Sequence, residues 1–124
     1  MRVIICGGRD YYLGPLELNI LSALHKSVHF SCIIHGGSSG VDTCAKKFGK
    51  DNKIQMIQVN ADWDLHGDAA LIMRNKKMLW QHPDMCVAFN GGEGTTDMIN
   101  QAKQSGLFVL QISHPEGTHN ETFR

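Results

Sequence analysis

The sequence predicts an α/β domain built on a mainly parallel sheet of about five strands, and three observations carry that expectation. Short apolar runs of strand type recur at Val3–Cys6, Cys32–Ile34, Ile54–Val59, Met85–Phe89 and Leu107–Ile112. Helical stretches fit between them, and strands that alternate with helices pair in parallel. Three of the runs end in glycine, as "IICGGRD" at 4–10, "IIHGGSSGVD" at 33–42 and "AFNGGEGTTD" at 88–97.

Taken in order, Pro15 suits the first turn of a helix, and Leu16, Ile20 and Leu24 then fall at i, i+4 and i+8 on one face. A second helix is expected from Gly40 to Gly49 and a third from Asp68 to Gln81. The fourth runs from Thr95 to Gly106, where glycine makes a natural left-handed stop. Residues 1–112 form a single domain, and the polar tail 113–124, "SHPEGTHNETFR", is expected to be loosely ordered and without a catalytic role.

The chain has 124 residues, enough for one ordinary core but not for a binding domain plus a separate effector domain. Twelve basic and twelve acidic side chains cancel and are scattered. That balance argues against duplex nucleic acid and anionic membranes as partners, so any bound anion must be met by a local site. No run approaches the roughly 20 apolar residues that cross a bilayer, and a cytoplasmic location is expected. Cys6, Cys32, Cys44 and Cys86 have no CxxC spacing and read as reduced core thiols rather than a zinc site.

In an open parallel sheet, ligands bind beyond the carboxyl ends of the strands, so all three glycine turns are expected at one edge. Such a turn opening a helix presents bare N–H groups and the positive end of the helix dipole, which hold a phosphate without lysine. Gly7, Gly8, Gly36, Gly37, Asn90, Gly91, Gly92 and Gly94 supply these turns. Ser38, Ser39, Thr95 and Thr96 add hydroxyl donors or cap helices. Any one turn is explained as well by tight chain reversal, but three at one edge favour phosphate. Neither GxGxxG nor GK[ST] spacing is present, so hydride and ATPase chemistry lose support.

Between the second and third glycine turns, "NADWDLHGDAALIMRNKKMLW" places Asp62, Trp63, Asp64 and His66 before a helix carrying Arg74 and Asn75. Arg74 is suited to bidentate contact with a phosphate. Trp63 suits either a base stack or packing in the core or an interface. Asp62, Asp64 and His66 lack a further ligand at a usual spacing, so capping and turn roles are expected, with no metal and no cofactor. After the first turn, Arg9 either balances a pyrophosphate, with Tyr11 over a base, or pairs with Asp10.

The motifs "MRVIICGGRDY", "IIHGGSSGVD", "ADWDLHG", "RNKKML" and "VAFNGGEGTTDMINQAKQSG", in that order, resemble the YspA-like family of the SLOG superfamily. The resemblance extends to about Val109 and implies a Rossmann-like three-layer sandwich with a pocket for nucleotides or nucleotide-derived ligands. The Lonely Guy phosphoribohydrolases of the same superfamily, which cleave the N-glycosidic bond of nucleoside monophosphates, carry a pattern similar to "RK" followed by "PGGxGTxxE". Here Arg74 matches the arginine, Asn75 replaces the lysine, and Gly91, Gly92, Gly94 and Thr95 match the core. Asn90 replaces the proline and Met98 the closing glutamate. Relative to the YspA-like pattern, Ser39 stands at a commonly basic position and Leu71–Ile72 at a common Gly-Pro pair, which implies a more regular, more apolar start to the third helix.

An N-glycosidase needs a carboxylate near its oxocarbenium-like transition state, and methionine supplies none. Asp97 is displaced by about 100° around the helix from that position. The preferred expectation is therefore a protein that holds a ligand such as ADP-ribose, cyclic ADP-ribose, NAD or a mononucleotide, as a sensor or a sequestering protein. The alternative is a nucleoside-monophosphate phosphoribohydrolase using Arg74 with Asp97, Asp42 or Glu93. Single-stranded DNA binding is disfavoured by the neutral chain. Leu71, Ile72, Met73, Met78, Leu79, Trp80, Met98 and Ile99 exceed what one sheet face consumes and predict a homodimer or larger homo-oligomer.

Overall fold

The computed structural model describes residues 1–113 and 118–119. Five parallel strands form the sheet: β1 (Arg2–Cys6), β3 (Cys32–His35), β4 (Gln55–Gln58), β5 (Met85–Ala88) and β6 (Phe108–Gln111), in the order β4-β3-β1-β5-β6. From β1 the chain works outward through β3 to β4, then crosses to the other side of β1 for β5 and β6. The order thus reverses between β1 and β5, where Val3 pairs with Met85 and Cys6 with Ala88.

Residue alternation along the strands builds a core on each face. Val3 and Ile5 of β1 face α1 (Pro15–Val28) and α2 (Val41–Asp51), meeting Leu21, Ala45 and Phe48. Ile4 and Cys6 face the opposite way toward α4 (Ala70–Leu79) and α5 (Glu93–Gln104), meeting Met78, Met98 and Ala102. Strands covered on both faces read as continuous apolar runs, which is why β1, β3 and β5 are legible without an alternating pattern. This is the Rossmann-like three-layer arrangement.

Three details differ from expectation. On α1 the buried positions are Glu17 and Leu21, whereas Leu16 is exposed. Glu17 is buried because its carboxylate accepts from the Gly14 N–H at 3.0 Å and from the Tyr11 hydroxyl at 3.0 Å. An unexpected short helix precedes the third one: α3 (Trp63–His66) ends at Gly67, at φ +53°, and a 3-10 turn Gly67–Ala69 leads into α4, which stands within the span expected for the third helix. Within the polar tail, β7 (Thr118–His119) pairs antiparallel with β2 (Tyr11–Tyr12); the rest of the tail from residue 114 lies outside the described residues. Gly106 closes α5 with φ +81°, the left-handed stop the sequence predicts.

The apolar surplus ascribed to the third and fourth helices is smaller than the sequence implies. Met78 and Met98 lie in the core, and Leu79 and Ile99 pack against it. Ile72 and Trp80 remain exposed, as does Phe108 on edge strand β6. No helix among the described residues is long and apolar enough to cross a membrane.

Candidate functional site

Where the strand order reverses, the loops leaving β1 and β5 diverge and open a crevice beyond the carboxyl ends of the strands. A cleft of about 580 Å³ occupies it, within the range of small-molecule sites. Residues from all three glycine turns line it, namely Gly7 and Gly8, Gly36 and Gly37, and Gly92 and Gly94. The edge rule therefore places the turns together as the sequence predicts.

Several glycines serve the packing of loop on loop instead of a ligand. The Gly8 N–H donates to the Asn90 carbonyl at 2.7 Å, and the Val41 N–H donates to the Gly8 carbonyl at 3.1 Å. A Cβ at Gly7 would stand 2.5 Å from Val41, and one at Gly91 would meet the Thr95 hydroxyl and lie 2.7 Å from the Gly8 nitrogen. Gly40, at φ +70°, rests directly on the Gly8 carbonyl and Arg9 backbone. Asn90 and Gly91 thus brace the first loop and do not line the cleft, contrary to their expected ligand role.

The α5 N-terminus leaves its first backbone N–H groups open to the cleft side. Its N-cap is Gly92, which offers no side-chain cap, and the first helical bond runs from the Thr96 N–H to the Gly92 carbonyl. The N–H groups of Glu93, Gly94 and Thr95 precede that bond and have no intrahelical acceptor. The α2 N-terminus is different in kind: its first N–H is taken by Gly8, and Asp42 occupies its first turn. Asp42 is 5% exposed and its Oδ2 accepts from the Ser38 N–H at 3.1 Å and the Ser38 hydroxyl at 2.7 Å. A carboxylate in the first turn disfavours an anion there, so α5 and not α2 has an N-terminus open to one.

Arg74 projects from α4 into the cleft. Its Nε donates to Asn75 Oδ1 at 2.9 Å and its Nη1 to the Gly36 carbonyl at 3.2 Å. Among the described residues the ion pair within 4.0 Å is Lys47–Asp51, so the half-buried guanidinium has no carboxylate partner. Burial lowers its pKa, while Asp42, Cys6 and Asp97 act in the opposite direction. Asn75, 2% exposed, holds the arginine in place by donating from Nδ2 to the Gly94 carbonyl at 3.0 Å and to Asp97 Oδ2 at 2.9 Å. Asp97 also accepts from Gln101 at 2.7 Å. It braces Asn75 and Gln101 and does not line the cleft; Met98, at the glutamate position, is in the core.

His35 and Cys6 lie beneath the glycine turns. His35 Nδ1 accepts from the Gly37 N–H at 3.1 Å, which fixes the neutral tautomer with its proton on Nε2. Its pKa is lowered, foremost by burial; Asp42 opposes this and Lys46 and Arg74 add to it. The Cys6 sulfur is 3.9 Å from that of Cys86, and this hydrogen bond, then burial, raises its pKa well above the ordinary thiol value. A thiol held protonated at the cleft floor is not a nucleophile.

The other expected ligand residues divide. Arg9, Asp10, Trp63, Glu93 and Thr95 line the cleft; Trp63 is 51% exposed, so it is neither core nor closed over. Arg9 and Asp10 form no ion pair. Tyr11 is buried in the core with its hydroxyl on Glu17 and does not cover a base. The Ser39 hydroxyl is spent on the Arg9 carbonyl at 2.6 Å and that of Thr96 on the Gly92 carbonyl at 3.1 Å. His66 stands outside the cleft, its Nε2 buried without a hydrogen-bond partner among the described residues. Asp62 caps α3 through the Leu65 N–H at 3.0 Å, the capping role expected of it.

Sequence reasoning missed Cys6, Asn60, Ala61, Leu71 and Met78, which also line the cleft. The signals were present. Asn60 and Ala61 follow the carboxyl end of β4, and Leu71, Arg74, Asn75 and Met78 share one helix face at i, i+3, i+4 and i+7.

Comparison with known proteins gives two matches. The family model YAcAr, the YspA, cpYpsA-related SLOG family, matches residues 1–66, which span β1 through α3 and two of the three glycine turns. Gene 61 protein of Mycobacterium phage D29 is 30% identical over 119 residues, covering 90% of this chain and 95% of that protein. No solved structure gives a significant match.

Proposed function

Since the chain belongs to the YspA, cpYpsA-related SLOG family, we propose that it is a cytoplasmic binding protein that holds a phosphorylated, nucleotide-type small molecule in this cleft. Candidate ligands are ADP-ribose, its cyclic form, NAD and mononucleotides. The observation that carries the reading is the half-buried Arg74 guanidinium, without a carboxylate within 4.0 Å among the described residues, beside the uncapped first turn of α5. A buried cation that lacks an anion and faces a row of free N–H groups is arranged for an incoming phosphate. The exposed indole of Trp63 at the mouth offers a stacking surface for a base.

Holding is favoured over cleavage because Met98, at the glutamate position, is in the core and Asp97 is tied to Asn75 and Gln101; the other two candidate acids, Asp42 and Glu93, line the cleft, with Asp42 Oδ2 engaged by Ser38. The protein associates with copies of itself through the exposed Ile72 on α4 and Trp80 at its C-terminal end. A thermal-shift panel of these nucleotides, followed by chromatography of the recovered ligand, tests the reading. Stabilisation with intact ligand is expected; release of free base replaces holding by catalysis, and no shift with any nucleotide refutes the site.

A further inference from the structure

The two walls of the cleft carry opposite charge and converge on one point. A Cβ added at Gly36 would collide with the Arg74 guanidinium, its Cζ 2.7 Å away, and would lie 3.1 Å from Asp42 Oδ2. The two groups are thus close neighbours across the cleft, yet they form no ion pair within 4.0 Å. Each is held apart by its own partners: Asp42 Oδ2 by the Ser38 N–H and hydroxyl, Arg74 by the Gly36 carbonyl and Asn75. Asp42 Oδ1 has no donor among the described residues.

A carboxylate accepts hydrogen bonds and donates none, so the ligand atom opposite Asp42 must be a donor and cannot be a second anion. The cleft as a whole repeats the constraint: Arg9 and Arg74 face Asp10, Asp42 and Glu93, two cations against three acids. Such a lining tolerates one phosphate at Arg74 and penalises further ones. Hydroxyls beside a phosphate are the groups that satisfy both walls, and a carboxylate that receives ribose hydroxyls is a recurrent way to recognise that sugar.

We propose that the cleft selects a ribose 5-phosphate unit bearing a single phosphate, with the phosphate on Arg74 and the first turn of α5 and a ribose hydroxyl on Asp42. This rests on the binding reading above and narrows it toward mononucleotides and away from diphosphates such as ADP-ribose and NAD. Ribose 5-phosphate, 2-deoxyribose 5-phosphate, AMP, ADP and inorganic phosphate are titrated by calorimetry or NMR against wild type, Arg74→Ala and Asp42→Asn.

Loss of a hydrogen bond to a charged group predicts that 2-deoxyribose 5-phosphate binds about tenfold more weakly than ribose 5-phosphate; AMP is expected to bind more tightly than ADP. Asp42→Asn erases the ribose preference and, by removing a negative charge near Arg74, strengthens inorganic phosphate. A merely structural Asp42 would not move those two readouts in opposite directions. If Asp42→Asn fails to fold, the wild-type ratio of the two sugar phosphates decides alone. Equal affinity for both sugars, or tighter binding of ADP than AMP, with both still dependent on Arg74, overturns the inference and leaves the phosphate site standing. Absence of binding by every one of these probes overturns the inference, and the binding reading falls with it only if ADP-ribose, its cyclic form and NAD also fail to bind.

Discussion

Replacing Arg74 with alanine separates the phosphate site from the stability of the fold. In the unliganded protein the change removes two hydrogen bonds, the longer at 3.2 Å to the Gly36 carbonyl, and leaves Asn75 Oδ1 without its donor. Bonds of this kind are worth about 1.5–3 kcal/mol each, but a guanidinium whose pKa is lowered by burial returns part of that when removed. A net destabilisation of about 1–2 kcal/mol is expected. The liganded state loses more, because a bidentate arginine–phosphate contact comprises two charge-assisted bonds. At least about 3 kcal/mol of binding should vanish, or roughly 100-fold in affinity. The assay is a phosphate-ligand titration alongside urea unfolding of the free protein. Arg74→Lys, which keeps the charge and loses the fork, should fall between the two. Affinity within threefold of wild type in a folded Arg74→Ala protein would refute the argument.

Glycine substitutions discriminate packing from binding. Gly40→Ala forces a methyl at φ +70° onto the Gly8 carbonyl and should cost at least about 2 kcal/mol of stability. Gly94→Ala, within α5 and 3.4 Å from Leu71 at its nearest contact, should leave stability unchanged or raise it by about 0.5–1 kcal/mol while weakening ligand binding severalfold; chemical denaturation and the same titration measure both. His35, whose pKa is lowered in the fold, contributes stability that is present above its ordinary value of about 6.5 and lost as pH falls through the lowered one. The urea midpoint should therefore drop on acidification, and His35→Gln should lessen the drop; an equal drop in both proteins contradicts it. Ultracentrifugation at micromolar concentration should show a homo-oligomer that Trp80→Glu dissociates, and a monomeric wild type would refute self-association.

The sequence by itself determined the layering and the edge at which the cleft opens. Strand runs such as Val3–Cys6 and Met85–Phe89 are apolar at every position because both faces of the sheet are covered, and glycine marks the ends of β1, β3 and β5 within a few residues of each strand. Arg74 stood out because it lies about two turns into a helix that follows a polar segment, a pattern readable over a few residues.

What each glycine is for was decided only by the tertiary structure. Gly7 and Gly40 are small because Val41 of α2 and the Gly8 carbonyl, both from distant segments, press on them, and Gly91 because the Thr95 hydroxyl and the Gly8 nitrogen do. Burial of Glu17 followed from Tyr11 and Gly14 jointly saturating its carboxylate, a satisfaction that helix periodicity does not register. Withdrawal of Asp97 came from Asn75, 22 residues earlier, and the approach of Arg74 to Gly36 spans 38 residues. Propensity and turn chemistry act over a few bonds and are therefore written in the chain. Close approach, charge proximity and hydrogen-bond partners across the cleft exist only once the sheet has brought distant segments to one edge.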